Sequence, residues 1–501
     1  MIVRLKGICV WRVVGVFAAS LAATSTVACA RSVATVPPMS TVVLTVDTSQ
    51  PGGEFAPGSV GLSLGAQELS SGYLNARHHR LVRLMRLLGP SILRVGANSV
   101  DLSWWTSNHE PPPRWATNTV TPTDLMALRR LLTATGWRLL LGVNFGHFEP
   151  TRAVDETRYA QKILGPELLG IEIGNEPDEF SNPRNGLRPP TYDVSEYLSE
   201  AEDYRQALGT TTPRVAIYGP ATGGTRWLTA MGAAAGVFTE LTQHYYATST
   251  CPNVSPSAAI PPATAAGLLS PEVRQQENDV LDALSKAGDV TGRPTRIGET
   301  NDVSCDGSVS TSSVFASALW SLDWVLRAAS SGVTGLSFHG WLGGCGVGSY
   351  SPICVSGDAA QASAGDVTAQ PEYYGLLAAS QLEGGRFVPI RMAASAQLPN
   401  ITTWATLAPG GTVRIVIDDL AISGATQTIS VPTAGYTATE EPLVAPSVEA
   451  RGGITLGAAS VTTQGRWIRK AQSAPAVRDS IRVVIRPASA IIVNLVPKRS
   501  R

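Results

Sequence analysis

The sequence has no excess of charge of either sign. Its 501 residues carry 39 basic and 39 acidic side chains, a formal net charge of zero, so bulk electrostatics draw it neither to a polyanion nor to an anionic membrane surface. It has no run of Lys and Arg interleaved with aromatics, no zinc-type cysteine spacing and no glycine-rich phosphate loop. Those absences argue against nucleic-acid and nucleotide binding. The longest apolar run near the N-terminus, residues 13–23, is shorter than the roughly 20 residues that cross a bilayer. Cysteines are few, at six.

What is there begins with an export signal. Arg4, Lys6 and Arg12 precede the apolar run, so residues 1–29 read as a leader. Thr26-Val27-Ala28-Cys29 resembles a lipoprotein processing box, in which case Cys29 carries a lipid and attaches the chain to a membrane. Ordinary cleavage into a soluble secreted protein stays open beside it. Residues 30–40 then form a tether. With Cys9 and Cys29 assigned to the leader, Cys251, Cys305, Cys345 and Cys354 remain, an even number that suggests disulfides in an exported chain. Cys345 with Cys354 would close a local loop and leave Cys251 with Cys305. The other connectivities, and free buried thiols, remain open.

The chain is long and apolar enough, at 44% hydrophobic, to fill more than one core. Strand-like runs at 60–64, 91–95, 138–143, 169–173, 214–218, 241–246, 295–298 and 335–338 alternate with helical patterns. Eight strands alternating with helices predict an α/β fold, a closed (β/α)8 TIM barrel over 59–384. Past residue 385 the pattern changes to period-two runs, TVRIVI (412–417) and AIIVNL (490–495), between Gly, Pro, Ser and Asp turns. That predicts an antiparallel β-sandwich over 385–498. The early run TVVLTVD (41–47) lies outside the barrel, and residues 41–58 are expected to pack on the sandwich. Nothing in the sequence sets the oligomeric state.

The chemistry centres on LLGIEIGNEPDEF (168–180), an apolar strand that breaks at Gly174 and delivers Asn175 and Glu176. The run at 295–298 ends in the same way at Glu299. Strand counting puts these carboxylates after the fourth and seventh strands, on the face of a barrel where loops share one mouth. Two carboxylates that can flank one bond are what glycoside hydrolysis requires. In this reading Glu176 is the general acid and Glu299 the nucleophile, with no metal or cofactor. Asn175 can donate to a sugar 2-hydroxyl. His244 and Tyr246 end the sixth strand, and the Tyr246 phenol can hold Glu299 ionised; Tyr245 points the other way. Asn98, Asp101 and Asn144 follow the second and third strands and suit sugar hydroxyls, though Asn98 and Asp101 equally suit turns or caps. Trp104, Trp105, Trp115 and Trp341 lie near strand ends, where a ring can stack on a sugar or join the core.

These segments together resemble glycoside hydrolase family 79, the β-glucuronidase and heparanase-like retaining enzymes. The resemblance rests on LGPSILRVGANSVD (88–101), IEIGNEPDEF (171–180), QHYY (243–246), IGETN (297–301), VFASALW (314–320), GVTGLSFHG (332–340) and PEYYGLL (371–377). It implies Glu176 as acid/base, Glu299 as nucleophile, and a terminal uronic acid as the sugar cleaved, with Tyr350 near the sugar carboxylate. The chain departs from the family after the first strand, where it has Leu64-Gly65-Ala66, and after the nucleophile, where it has Ser304-Cys305-Asp306-Gly307. Asp306 favours a neutral sugar instead. A glycan-binding protein of the cell envelope without catalysis is the reading from a different class.

Overall fold

The computed structural model describes residues 42–183, 185–212, 214–252, 260–346, 348–356, 366–393 and 400–498. The leader, Cys29 and the tether lie outside the described residues. Eight parallel strands close into a barrel: Val60–Gly65, Ile92–Gly96, Arg138–Val143, Leu168–Ile173, Ile217–Thr222, Glu240–Ser249, Thr295–Ser304 and Leu336–Gly340. The eighth pairs with the first, Leu336 opposite Val60, and so no edge is left open. A helix follows each strand, as in a (β/α)8 barrel.

Local sequence explains the helices. Pro122–Thr135 starts at a capping box between Thr121 and Asp124, has Pro at its first turn, and ends at Gly136 in the left-handed region (φ 77°). Its Leu125, Leu128, Leu131 and Leu132 form the buried stripe. Phe315–Ser330 is buried almost all round. Its first amides, Phe315 N–H and Ala316 N–H, donate to the carbonyls of Ala450 and Val448, each at 2.9 Å. The following region therefore caps the helix behind the seventh strand.

Three strands differ from expectation. The fifth occupies Ile217–Thr222 rather than 214–218. Its pairing with the sixth, from Glu240 opposite Tyr218 to Gln243 opposite Thr222, draws Gly219 and Pro220 into the barrel. Local pattern disfavours a strand there, because proline gives no donor to the ladder. The sixth and seventh run on to Ser249 and Ser304, pairing through Thr248 opposite Val303. Glu299 thus stands inside a strand that continues past it, not at its end.

Beyond that extension the disulfide Cys251–Cys305 joins the two strand exits, and Cys345–Cys354 closes the loop after the eighth strand. Both are the pairings the spacing suggests. After the barrel, one four-stranded sheet runs Ile390–Ala393, Val42–Val46, Gln427–Pro432, Ser480–Ile485. The early strand is thus an inner member of that sheet. A second sheet is built around Ile401–Leu407, Val413–Asp419, Ser489–Pro497 and Tyr436–Val444. Leu44, Ile429 and Val483 of the first share one buried core with Ile415, Ile417 and Val493 of the second. Alternation of buried and exposed positions, as in Ser480–Ile485, is what a two-layer core imposes on a strand.

Candidate active site

The fourth strand ends in a forced turn. Gly174 has φ 82°, and a Cβ there would stand 3.1 Å from the Cβ of Phe145, so only glycine fits. Glu176 itself is in the left-handed region, φ 47° and ψ 53°. For a residue with a side chain that costs on the order of 1–3 kcal/mol. The Glu176 N–H, which donates to the Ala221 carbonyl at 2.8 Å, helps hold it there. The turn aims the carboxyl across the barrel mouth towards the sixth and seventh strands.

Arg94 organises what it meets. This guanidinium, on the second strand, is fully buried. Its Nε donates to Glu172 Oε2 at 2.6 Å and its Nη1 to Glu299 Oε2 at 2.5 Å. Nη1 also reaches Ser63 Oγ at 3.2 Å, and Nη2 donates to Asn175 Oδ1 at 2.8 Å and His244 Nε2 at 3.3 Å. Guanidinium has only donors, so His244 Nε2 is an acceptor and the ring proton sits on Nδ1. That proton faces Glu176 Oε1 at 3.1 Å.

The two carboxylates have opposite surroundings. Both oxygens of Glu299 are served, Oε2 by Arg94 and Oε1 by the Tyr246 hydroxyl at 2.7 Å. Burial pushes this carboxyl up, but His339, His244 and Arg94, with the Tyr246 hydrogen bond, outweigh it and hold Glu299 well below the usual carboxylate range. The Glu176 side chain is 23% exposed against 7% for Glu299 and takes its contact from His244 alone among these donors. An oxygen of each carboxylate and a nitrogen of His244 lie within 4.8 Å of one another. On distance alone the three could cage a cation. Arg94 already supplies the positive charge beside Glu299 and would repel a metal ion, so we assign no metal ligand here.

Arg94 is also the most exposed to test by stability. Arg94→Met removes the charge that neutralises Glu172 and Glu299 in a buried setting, and is expected to lower unfolding free energy by about 3–5 kcal/mol. Urea unfolding checks this; a loss under about 1 kcal/mol would mean that the carboxylates find compensation elsewhere.

Of the residues singled out from sequence, Asn175, Glu176, His244, Tyr246 and Glu299 come together. Asn175 is oriented by Arg94 on one side and donates Nδ2 to Asn98 Oδ1 at 2.9 Å on the other, which brings exposed Asn98 to the rim. Tyr350 joins through its loop: its ring lies 6.2 Å from Tyr246 and 5.9 Å from His339. Asn301 Nδ2 donates to the carbonyls of Tyr350 at 2.7 Å and His339 at 2.6 Å.

Two of the residues singled out are engaged by backbone groups. Asp101 is buried, and its Oδ1 accepts from Phe145 N–H at 3.0 Å and Gly146 N–H at 2.7 Å. It shapes the loop after the third strand, the cap role its type also suits. Burial pushes its carboxyl up to about 7. Asn144 is likewise engaged, donating to the Ser103 carbonyl of the segment after the second strand at 3.2 Å and accepting from His147 N–H of its own loop at 2.9 Å. Neither needs a sugar to satisfy it. Tyr245 turns away and packs 5.0 Å from Trp324. Trp104 and Trp105 are buried, Trp115 stacks on His147, and Trp341 is 57% exposed at the mouth.

Arg94, Glu172 and His339 were missed by motif reasoning. A signal existed for the first two: each is a charge inside an otherwise apolar strand, ILRVG and LLGIEI. Such a residue must find a partner inside the barrel.

No protein-family profile matches the chain. A β-glucuronidase of Aspergillus niger is 25% identical over 280 residues, 49% of this chain and 50% of that protein. The chain thus spans about half the length of the curated relative it matches. Among solved structures, the 4-O-α-L-rhamnosyl-β-D-glucuronidase of Fusarium oxysporum, in complex with Rha-GlcA, aligns with a TM-score of 0.69 at 16% identity, over 91% of this chain and 99% of that one. A GH51 arabinofuranosidase of Xanthomonas axonopodis pv. citri aligns at 0.65 and 13%, again over 91% and 99%. At these identities the structural likeness is one of fold.

Proposed function

We propose that the protein is a retaining glycoside hydrolase that cleaves a terminal uronic acid, as a β-glucuronidase does. One observation carries the reading: two carboxylates from the fourth and seventh strands approach within 4.8 Å, one held ionised and the other partly open. Retaining enzymes keep the pair about 5–5.5 Å apart, whereas inverting enzymes need about 6.5–9.5 Å to admit a water. In this mechanism Glu299 attacks the anomeric carbon as Glu176 protonates the leaving oxygen, giving a glycosyl ester and a free alcohol. Glu176, now ionised, takes a proton from water, which displaces Glu299 and restores both groups. His244 donates to one Glu176 oxygen and leaves the other to carry the proton.

The uronic acid is supported by the resemblance to glycoside hydrolase family 79, by the Aspergillus relative and by Tyr350 beside Tyr246. A second reading, a neutral sugar, is favoured by exposed Asp306, whose charge acts on Tyr350. A panel of nitrophenyl glycosides decides. The β-glucuronide is expected to give the highest kcat/KM; faster cleavage of a neutral sugar would select the second reading. No cleavage of any, with glycan binding kept, would leave a silent binding protein. We also read the two C-terminal sheets as the expected β-sandwich, and the chain as exported, secreted or lipid-anchored through Cys29. Two disulfides suit an oxidising compartment.

A further inference from the structure

The turn that presents Glu176 holds a second carboxylate that this mechanism does not use. Asp178 lies in the short turn Pro177–Glu179. Its Oδ1 accepts from Gly223 N–H at 3.1 Å and its Oδ2 from Gly224 N–H at 3.0 Å. Those glycines form the loop that leaves the fifth barrel strand. The end of that strand takes the Glu176 N–H on the carbonyl of Ala221, itself at φ 55°. Two turns with strained backbones are thus tied to each other twice, once through main chain and once through Asp178.

Glu176 rests directly on what Asp178 holds. A Cβ on Gly223 would stand 3.3 Å from Glu176 Oε1, so the position of that loop sets where the acid carboxyl can lie. Charge acts in the same place. Burial and the nearby Glu176 push the Asp178 carboxyl up to about 6, against its two amide hydrogen bonds.

We propose that Asp178 is a positioning residue for Glu176, clamping the loop on which the acid rests. The inference rests on the reading of Glu176 as the acid/base. The other groups acting on Glu176 come from different elements: His244 and Tyr246 from the sixth strand, Glu299 from the seventh, His339 from the eighth and Tyr350 from the loop beyond it. Tyr197, of the helix Val194–Thr211, faces Asp178. A change at position 178 replaces none of the groups that act on Glu176.

Asp178→Asn removes the charge and turns its amide NH2, a donor, towards one of the two glycine N–H groups. Glycosides with poor leaving groups are expected to lose roughly tenfold, and dinitrophenyl glycosides little. Equal losses on both substrates, or no loss on either, would overturn the proposal and leave Asp178 a loop-former. Should that variant not fold, Asp178→Glu keeps the charge and lengthens the clamp. It should slow poor substrates more than dinitrophenyl glycosides, and wild-type rates on both would overturn the clamp. Failure of the underlying reading looks different, because Glu176→Ala would then show no dependence on the leaving group.

Discussion

Glu299→Ala is expected to lose turnover by roughly 10⁴-fold or more on any glycoside the protein cleaves, the scale on which a covalent nucleophile is missed. The structure argues that the loss is chemical and not a failure to fold. Arg94 holds Glu172 and Glu299 together, at 2.6 and 2.5 Å. With Glu299 gone, Glu172 still neutralises the guanidinium in the buried site. Azide should restore part of the rate by filling the vacated space, and the glycosyl azide formed should have inverted anomeric configuration. The wild-type Glu299 carboxyl is held low, so it contributes stability above its unfolded pKa, and that contribution is lost as pH falls through its lowered folded value. Unfolding of Glu299→Ala should accordingly depend less on pH at the acid end. Unchanged kcat across the nitrophenyl panel would remove Glu299 from the nucleophile's role.

Glu176→Ala separates the two halves of the mechanism. Protonation of the leaving group is worth about 10²–10⁴-fold, so alkyl or sugar leaving groups should suffer a loss of that size. Dinitrophenyl leaving groups need no proton, and their first step should be nearly unchanged. Deglycosylation then lacks its base, a covalent intermediate should accumulate, and azide should release it with retained configuration. The opposite stereochemistry in the two rescues assigns the roles independently of any rate. Equal loss on good and poor leaving groups would show that Glu176 acts on structure alone.

Much of this site is legible because its parts are local. An apolar strand broken at Gly174 delivers Glu176 whatever lies around it, and the register of Tyr245 and Tyr246 follows from the alternation of side chains along a strand. Asp101 and Asn144 are less legible for the opposite reason. Their types suit sugar hydroxyls and backbone amides equally, and only packing reveals that Gly146 and His147 take them first. Arg94 is an odd charge in ILRVG until the second, fourth and seventh strands are side by side, since Glu172 and Glu299 lie 78 and 205 residues further along the chain.

By itself, then, the order of residues determined the barrel and the strands that carry its two carboxylates, and offered the cysteine pairing that the structure has among three connectivities. Periodicity, turn chemistry and cysteine spacing act over short stretches of chain, and a linear string records them. Tertiary structure alone decided that the fifth strand takes in Pro220, that the sixth and seventh run on past Tyr246 and Glu299, and that Arg94 holds Glu299 ionised while His244 faces Glu176. Those outcomes depend on burial and on charges brought together from distant strands, and both come into being only when the barrel closes.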